Sequence, residues 1–236
     1  GSAPRNVRTE SREWLDLVLT HELFHIVHLD KARGAPLGLR RVFGRLAFLF
    51  PNALQPGWIV EGLAVHAGSD PERGYGRLGN SQFEGMMRAE ASRGLRPLSE
   101  INAEGRRFPL NRDYLNGGYF FAFIQGRYGP KAVVDFIENY SDNVIPFRVH
   151  SNPEVVTQKN MDQLWAEYDQ WLRARFGASR ERVQEGEAVA RAWSIGSPAL
   201  AADGTRWYIE GDGYTLPKLM RQPRGARPQA QRSVAP

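Results

Sequence analysis

Two histidines and a glutamate near the start of the chain carry its strongest chemical signal. His21 and His25 are four residues apart in the run HELFH. In a helix, which turns about 100° per residue, they lie about 40° apart and can bind one ion. Glu22 then lies about 100° to the side, where it can take a proton from water that the ion has acidified. The run predicts a zinc site with Glu22 as the catalytic base; the alternative is a pair of ordinary histidines on an amphipathic helix.

The third metal ligand is predicted to be Glu61. A catalytic zinc needs three protein ligands and one open position, and a chain without cysteine must supply them from His, Asp or Glu. Glu61 stands among apolar residues in the run WIVEGLA, where a buried carboxylate is costly unless it is paired or bound to metal. Gly62 leaves room for another helix to pack closely beside it. The alternative is an exposed glutamate on an ordinary helix.

HELFH followed by WIVEGLA resembles the gluzincin metallopeptidases, whose third zinc ligand is a glutamate. The resemblance implies a zincin-like helical metallopeptidase core that hydrolyses peptide bonds, with Glu22 as general base. It implies that the Zn²⁺ ligands are His21, His25 and Glu61.

The same resemblance extends to the run DYLNGGYFFAF. Gluzincins carry a tyrosine three residues before a glycine, and Tyr114 with Gly117 matches this pattern. The resemblance therefore implies that the Tyr114 phenol donates a hydrogen bond to the oxyanion, with Tyr119 as its substitute. The alternative is that both are core aromatic residues.

The chain departs from the family's pattern at several positions. The gap between the second histidine and the glutamate is longer than usual, and Val65 stands where thermolysin-type members often have an aspartate that orients a ligand histidine. That role is expected to fall to Asp70 or His66. His28 is expected to be a packed or supporting residue, because three histidines on one straight helix cannot all reach one tetrahedral ion. The metzincin pattern, with glycine at position 28 and histidine at position 31, is not present.

The elements that hold these residues are predicted to be mainly α, with a short β segment at the C-terminus. Thr9 or Ser11 is expected to cap the first helix, Gly34 and Pro36 to end it, and Ser81 to open a capping box. Apolar periodicity predicts helices over residues 11–30, 39–50, 56–68, 81–93, 112–128, 131–140 and 160–177, and a charged helix to about residue 193.

The C-terminal segment changes character. Asp203-Gly204 between short alternating runs predicts a hairpin. The segment resembles one blade of the propeller of Tol-type periplasmic proteins, through Ser197, Pro198, Asp203, Gly204 and strands at 206–210 and 216–221. One blade cannot close a propeller, so the resemblance implies a longer periplasmic or cell-envelope protein. We assign residues 3–195 to a gluzincin-like zinc peptidase domain and residues 196–236 to the blade-like β segment.

Composition limits the partners. The net charge is +5 and the pI is near 9.7, but the arginines are scattered, so we expect no nucleic-acid groove. No apolar run is long enough for a membrane span. The expected partner is a peptide or protein substrate. Related zincins hold it on a sheet that precedes the HExxH helix, and few residues precede Ser11 here. The alternative function is therefore a catalytically weak or inactive zinc-binding structural or interaction domain attached to a propeller.

Overall fold

The protein is mainly helical and forms two compact units, Gly1–Val183 and Gln184–Pro236. The computed structural model describes residues 7–102, 109, 111–144, 148–180, 186 and 188–234, with the backbone alone at 7–13, 178–180 and 197. None of the helices within these ranges is long and apolar enough to cross a lipid bilayer. The described α-helices, all in the first unit, are α1 Val7–Asp30, α2 Gly34–Phe43, α3 Gly57–Ala67, α4 Ser81–Arg93, α5 Arg112–Tyr128, α6 Pro130–Tyr140, α7 Glu154–Thr157 and α8 Met161–Arg180.

The first two helices end differently from the prediction. α1 begins at Val7, so Thr9 and Ser11 lie inside it rather than capping it. Gly34 and Pro36 open α2 instead of closing α1, because proline fits the first turn of a helix, where its missing N–H has no helical partner. α2 ends before Gly44, whose φ of 80° suits glycine. The rest of the helix predicted over 39–50 is replaced by the 3₁₀ turn Ala47–Leu49, and a second 3₁₀ turn, Pro51–Leu54, follows it.

Asparagines cap two of the later helices. The Asn80 side chain, rather than Ser81, caps α4 by accepting hydrogen bonds from the backbone N–H groups of Gln82 and Phe83 at 2.8 and 3.2 Å. The Asn160 side chain caps α8 by accepting from the N–H of Gln163 at 3.0 Å. The charged helix predicted to reach residue 193 is wrong at residues 186 and 188–193, which are not helical; residues 178–180 are the last turn of α8, and residues 181–185 and 187 lie outside the described part of the chain.

Helices α3 and α5 cross at the centre of the helical unit with their backbones in contact. A Cβ atom on Gly117 would lie 2.1 Å from the carbonyl oxygen of Trp58 and 2.7 Å from the Cα of Gly62. Gly62, which was predicted from the sequence to allow close helix packing, therefore lies at the contact between the two backbones. An aromatic cluster surrounds the crossing, with the ring of Trp58 edge-on to Phe120 at 5.2 Å between centroids. The crossing places Glu61 of α3 against the first turns of α5.

The second unit is a four-stranded antiparallel sheet in which consecutive strands are neighbours. The predicted hairpin at Asp203-Gly204 is confirmed: Gly204 has a φ of 81°, and Asp203 Oδ1 accepts from the N–H of Thr205 at 2.9 Å. The strands are β1 Ser194–Leu200, β2 Arg206–Gly211, β3 Lys218–Gln222 and β4 Gln229–Ser233.

Candidate metal centre

The buried side-chain amide of Asn52 holds the C-terminal end of α1, the helix that carries the histidines. Asn52 is fully buried in the 3₁₀ turn Pro51–Leu54. Its Nδ2 donates to the carbonyl oxygens of His28 and Lys31 at 3.0 and 3.2 Å, and to Ser141 Oγ at 2.9 Å. The amide thus supplements the bond that the His28 carbonyl accepts from the N–H of Lys31 at 3.2 Å, and gives the Lys31 carbonyl, just beyond α1, a partner. These bonds attach the end of α1 to this turn, and one to two turns earlier on α1 His21 and His25 contact Glu61 of α3.

Three potential ligand atoms from α1 and α3 form a nearly equilateral triangle. His21 Nε2 lies 3.1 Å from both Glu61 Oε2 and His25 Nε2, and His25 Nε2 lies 3.3 Å from Glu61 Oε2. Ligand bonds of about 2.0–2.1 Å in tetrahedral geometry place neighbouring ligand atoms about 3.3 Å apart. Two imidazole nitrogens with a carboxylate oxygen are a donor set that suits zinc. His21, His25 and Glu61 therefore form a group that could hold a metal ion, with their three ligand atoms at three corners of a tetrahedron around it.

The charge state of Glu61 suits this role. Burial alone would raise the pKa of the Glu61 carboxyl, but hydrogen bonds from His21 and Tyr114, together with the nearby imidazoles, lower it below its ordinary value. The carboxylate is therefore ionised at neutral pH, which is the form that binds a cation.

Tyr114 belongs to the site and Tyr119 does not. The Tyr114 ring stacks on His21 at 5.9 Å between centroids, and its phenol hydrogen-bonds to Glu61. Burial and then the charge of Glu61 raise the pKa of Tyr114 to about 12, so the phenol keeps its proton and remains a donor. Tyr119 lies about 140° further around α5. It is 3% exposed and stacks on Phe83 in the core, so it is not a substitute for Tyr114.

Glu22 follows the ligand candidate His21 directly on α1. The side chain is exposed, and with His21 it lines a cavity of about 210 Å³. Beyond Glu22, α1 turns an apolar ridge to solvent. This apolar ridge consists of Leu15, Leu19, Leu23, Ile26 and Val27. Each of these side chains is at least 47% exposed, and no described residue covers the ridge.

The other histidines and Asp70 do not orient the ligands. His28 is buried against Phe24, and burial, with the charge of His25 second, lowers its pKa to about 4. His66 Nε2 pairs with Gln125 Oε1 at 2.9 Å and ties α3 to α5. Asp70 instead caps its own 3₁₀ turn. The proposed orienting role of Asp70 or His66 is thus not seen, and His25 Nδ1 is buried without a hydrogen-bond partner among the described residues.

One residue of the site, Arg77, was not predicted from the sequence. The guanidinium of Arg77, in the loop between α3 and α4, lies 4.6 Å above the ring of Tyr114. Arg77 also lines the cavity that contains His21 and Glu22. No motif marks it, because its place depends on how α5 packs against the loop.

Comparisons with known proteins add no relative. No protein-family model matches the chain, and no curated protein or solved structure matches it. The features that bear on function are therefore the geometry of the site and the resemblance of HELFH and WIVEGLA to the gluzincin motifs.

Proposed function

We propose that the helical unit is a zinc-dependent peptidase of the gluzincin type. One observation carries the proposal: three atoms of the predicted ligands, from two helices 40 residues apart in sequence, converge at the spacing of a tetrahedral face. Three acceptor atoms with unshared electron pairs repel one another unless a proton or a cation lies between them. A shared cation satisfies all of them at once, which explains why the arrangement is favourable.

The residues around the triangle have distinct tasks in peptide hydrolysis. A zinc ion, when bound, supplies a Lewis acid that activates water and polarises a carbonyl. Glu22 takes the proton of the attacking water and passes it to the leaving amine. Tyr114 would donate a hydrogen bond to the carbonyl oxygen as it becomes negative; its protonated phenol and its position beside Glu61 support this role.

The second candidate is a zinc-binding interaction domain with little or no catalysis. The exposed apolar ridge on α1 favours it, because the described residues provide no wall on the far side of Glu22 against which a peptide could be held. The helical unit also contains no strand among its described residues that could align a substrate by main-chain bonds.

The cellular setting is part of the same proposal. A sheet of four antiparallel strands in sequential order is the topology of a propeller blade. We therefore keep the interpretation that the β unit is one blade of a propeller in a longer periplasmic or cell-envelope protein.

Metal content and turnover, measured together, test the two candidates. We expect about one zinc per chain by mass spectrometry, strongly reduced in His21→Ala and in Glu61→Ala. A peptide-library digest should show cleavage that falls at least about a hundredfold in Glu22→Gln while zinc is retained. Glu72→Gln, an exposed glutamate on a 3₁₀ turn, serves as the matched control and should cleave normally. Bound zinc without cleavage would favour the interaction domain, and a parent protein that binds no supplied zinc would refute both.

A further inference from the structure

Arg77 is held next to the metal centre by a rigid loop. Gly76, with a φ of 74°, packs so tightly that a Cβ would lie 2.4 Å from the carbonyl oxygen of Gly68. The N–H of Leu78 donates to Ser69 Oγ at 3.1 Å, and Asp70 pairs with Tyr75 through backbone hydrogen bonds in both directions. The loop is therefore fixed to the end of α3, the helix that carries Glu61.

The guanidinium of Arg77 has an unused donor. Its Nη1 is buried and has no hydrogen-bond partner among the described residues, although a buried N–H without a partner is costly. Burial raises the pKa of the Asp113 carboxyl overall and outweighs the charge of Arg77, which lowers that pKa. Within the described ranges Arg77 makes no ion pair with a carboxylate. A buried cationic donor of this kind is suited to an anionic ligand.

Arg77 lies where two cavities meet. One is the cavity of about 210 Å³ that it shares with His21 and Glu22. The other is larger, about 640 Å³, and extends past Tyr114 towards α4. Among the described lining residues of the larger cavity, Arg77 is the one with a charge; polar Asn80 and Gln82 and apolar Phe83 and Met86 form the rest of its α4 side.

We propose that Arg77 binds a carboxylate of the peptide substrate at the junction of the two cavities, next to the bond that is cleaved. The inference rests on the proposed peptidase function and names its substrate class: peptides with a negative charge close to the scissile bond. The guanidinium fork can hold a carboxylate through two parallel hydrogen bonds. The carboxylate can come from the C-terminus of the peptide or from an acidic side chain, while Phe83 and Met86 accept a neighbouring apolar side chain.

Peptide binding to the metal-free protein tests this without turnover. Four peptides of one length, all acetylated, are titrated by calorimetry in the presence of chelator: one with a free C-terminal carboxylate, its C-terminal amide, and two amides with an internal Glu or Gln. We expect at least one carboxylate peptide to bind about tenfold or more tightly than its uncharged twin. The pair that shows the preference identifies the source of the carboxylate.

Variants of Arg77 test whether this residue causes the preference for carboxylate peptides. Arg77→Gln should abolish it, and Arg77→Lys, which keeps the charge but loses the fork, should retain part of it. Arg73→Gln, an exposed arginine of the same loop, should bind like the parent. Circular dichroism checks that each variant is folded. Equal affinity for charged and uncharged twins in the parent, a preference that survives in Arg77→Gln, or no binding of any peptide at millimolar concentration would overturn the inference. If zinc-loaded protein cleaves peptides but shows no preference, this inference alone fails; if the preference holds without cleavage, the peptidase proposal fails instead.

Discussion

Alanine at two glycines of α5 is expected to have opposite effects on stability. At Gly117 an added Cβ would lie 2.1 Å from the carbonyl oxygen of Trp58, and ordinary contact begins at 3.4 Å. Helices α3 and α5 would have to separate by about 1 Å or more. At Gly126, in the same helix, nothing lies within 4 Å of the added atom. The same chemical change therefore meets backbone at one site and open space at the other.

The magnitudes follow from two opposing effects. Alanine is favoured over glycine inside a helix by about 1 kcal/mol. Overpacking costs about 1–3 kcal/mol, and the upper end applies at Gly117 because a backbone carbonyl cannot rotate away. Gly117→Ala should therefore lower the free energy of unfolding by about 2 kcal/mol, and Gly126→Ala should raise it by up to about 1 kcal/mol. In a unit of this size 1 kcal/mol moves Tm by about 2–4 °C, so the two variants should melt roughly 6–12 °C apart.

Helical circular dichroism during heating measures this difference, and zinc affinity measures its consequence for the site. Gly117 packs on the turn of α3 that carries Glu61, so Gly117→Ala should also weaken zinc binding, while Gly126→Ala should not. If Gly117→Ala melts at or above the temperature of Gly126→Ala, the two backbones are not in contact, and the explanation of how Glu61 is positioned is wrong.

Two further predictions concern α1. In chelator, the free energy of unfolding should fall by up to about 3 kcal/mol between pH 7 and pH 4 through His28, because unfolded histidine, with a pKa of 6.5, takes up a proton that the buried ring, with a pKa of about 4, does not. Urea unfolding across this range should show a flatter pH profile for His28→Gln, and an unchanged profile would refute the burial argument. Leu19→Gln and Leu23→Gln, at ridge positions 56% and 60% exposed, should change the free energy of unfolding by less than about 0.5 kcal/mol while reducing the binding of a hydrophobic dye; a large destabilisation would mean that the ridge is covered.

The sequence predicted those features that depend on local rules. Helical spacing was enough to bring His21 and His25 together, and Asp203-Gly204 was enough for the hairpin. The boundary errors were local too, since one proline can end a helix or begin the next, and only packing decides between the two at Pro36. The choice between Asn80 and Ser81 as the cap likewise depended on a shift of a single residue.

Features that depend on long-range packing could not be predicted from the sequence. Arg77 carries no motif, and it reaches Tyr114 only because the loop after α3 is fixed against the start of α5. His66 was expected to orient a ligand histidine because it is close to Glu61 in sequence. Its side chain instead points about 140° away from Glu61 around α3, towards Gln125. Proximity along a helix predicted a shared role that the direction of the side chain does not allow.

The triangle also joins two helices that are held very differently. α3 lies in the core, with Ile59 and Leu63 no more than 1% exposed, whereas α1 rests on α3 with one face and leaves its apolar ridge open. A cation bound by His21, His25 and Glu61 would link the more exposed helix α1 to the buried helix α3. Ligand binding to the folded state alone adds about 4 kcal/mol at a thousandfold excess over Kd. In the proposed peptidase this ion would also hold Glu22 at a fixed distance from α3, so that the geometry of the proposed catalysis and the stability of α1 would depend on the same three contacts.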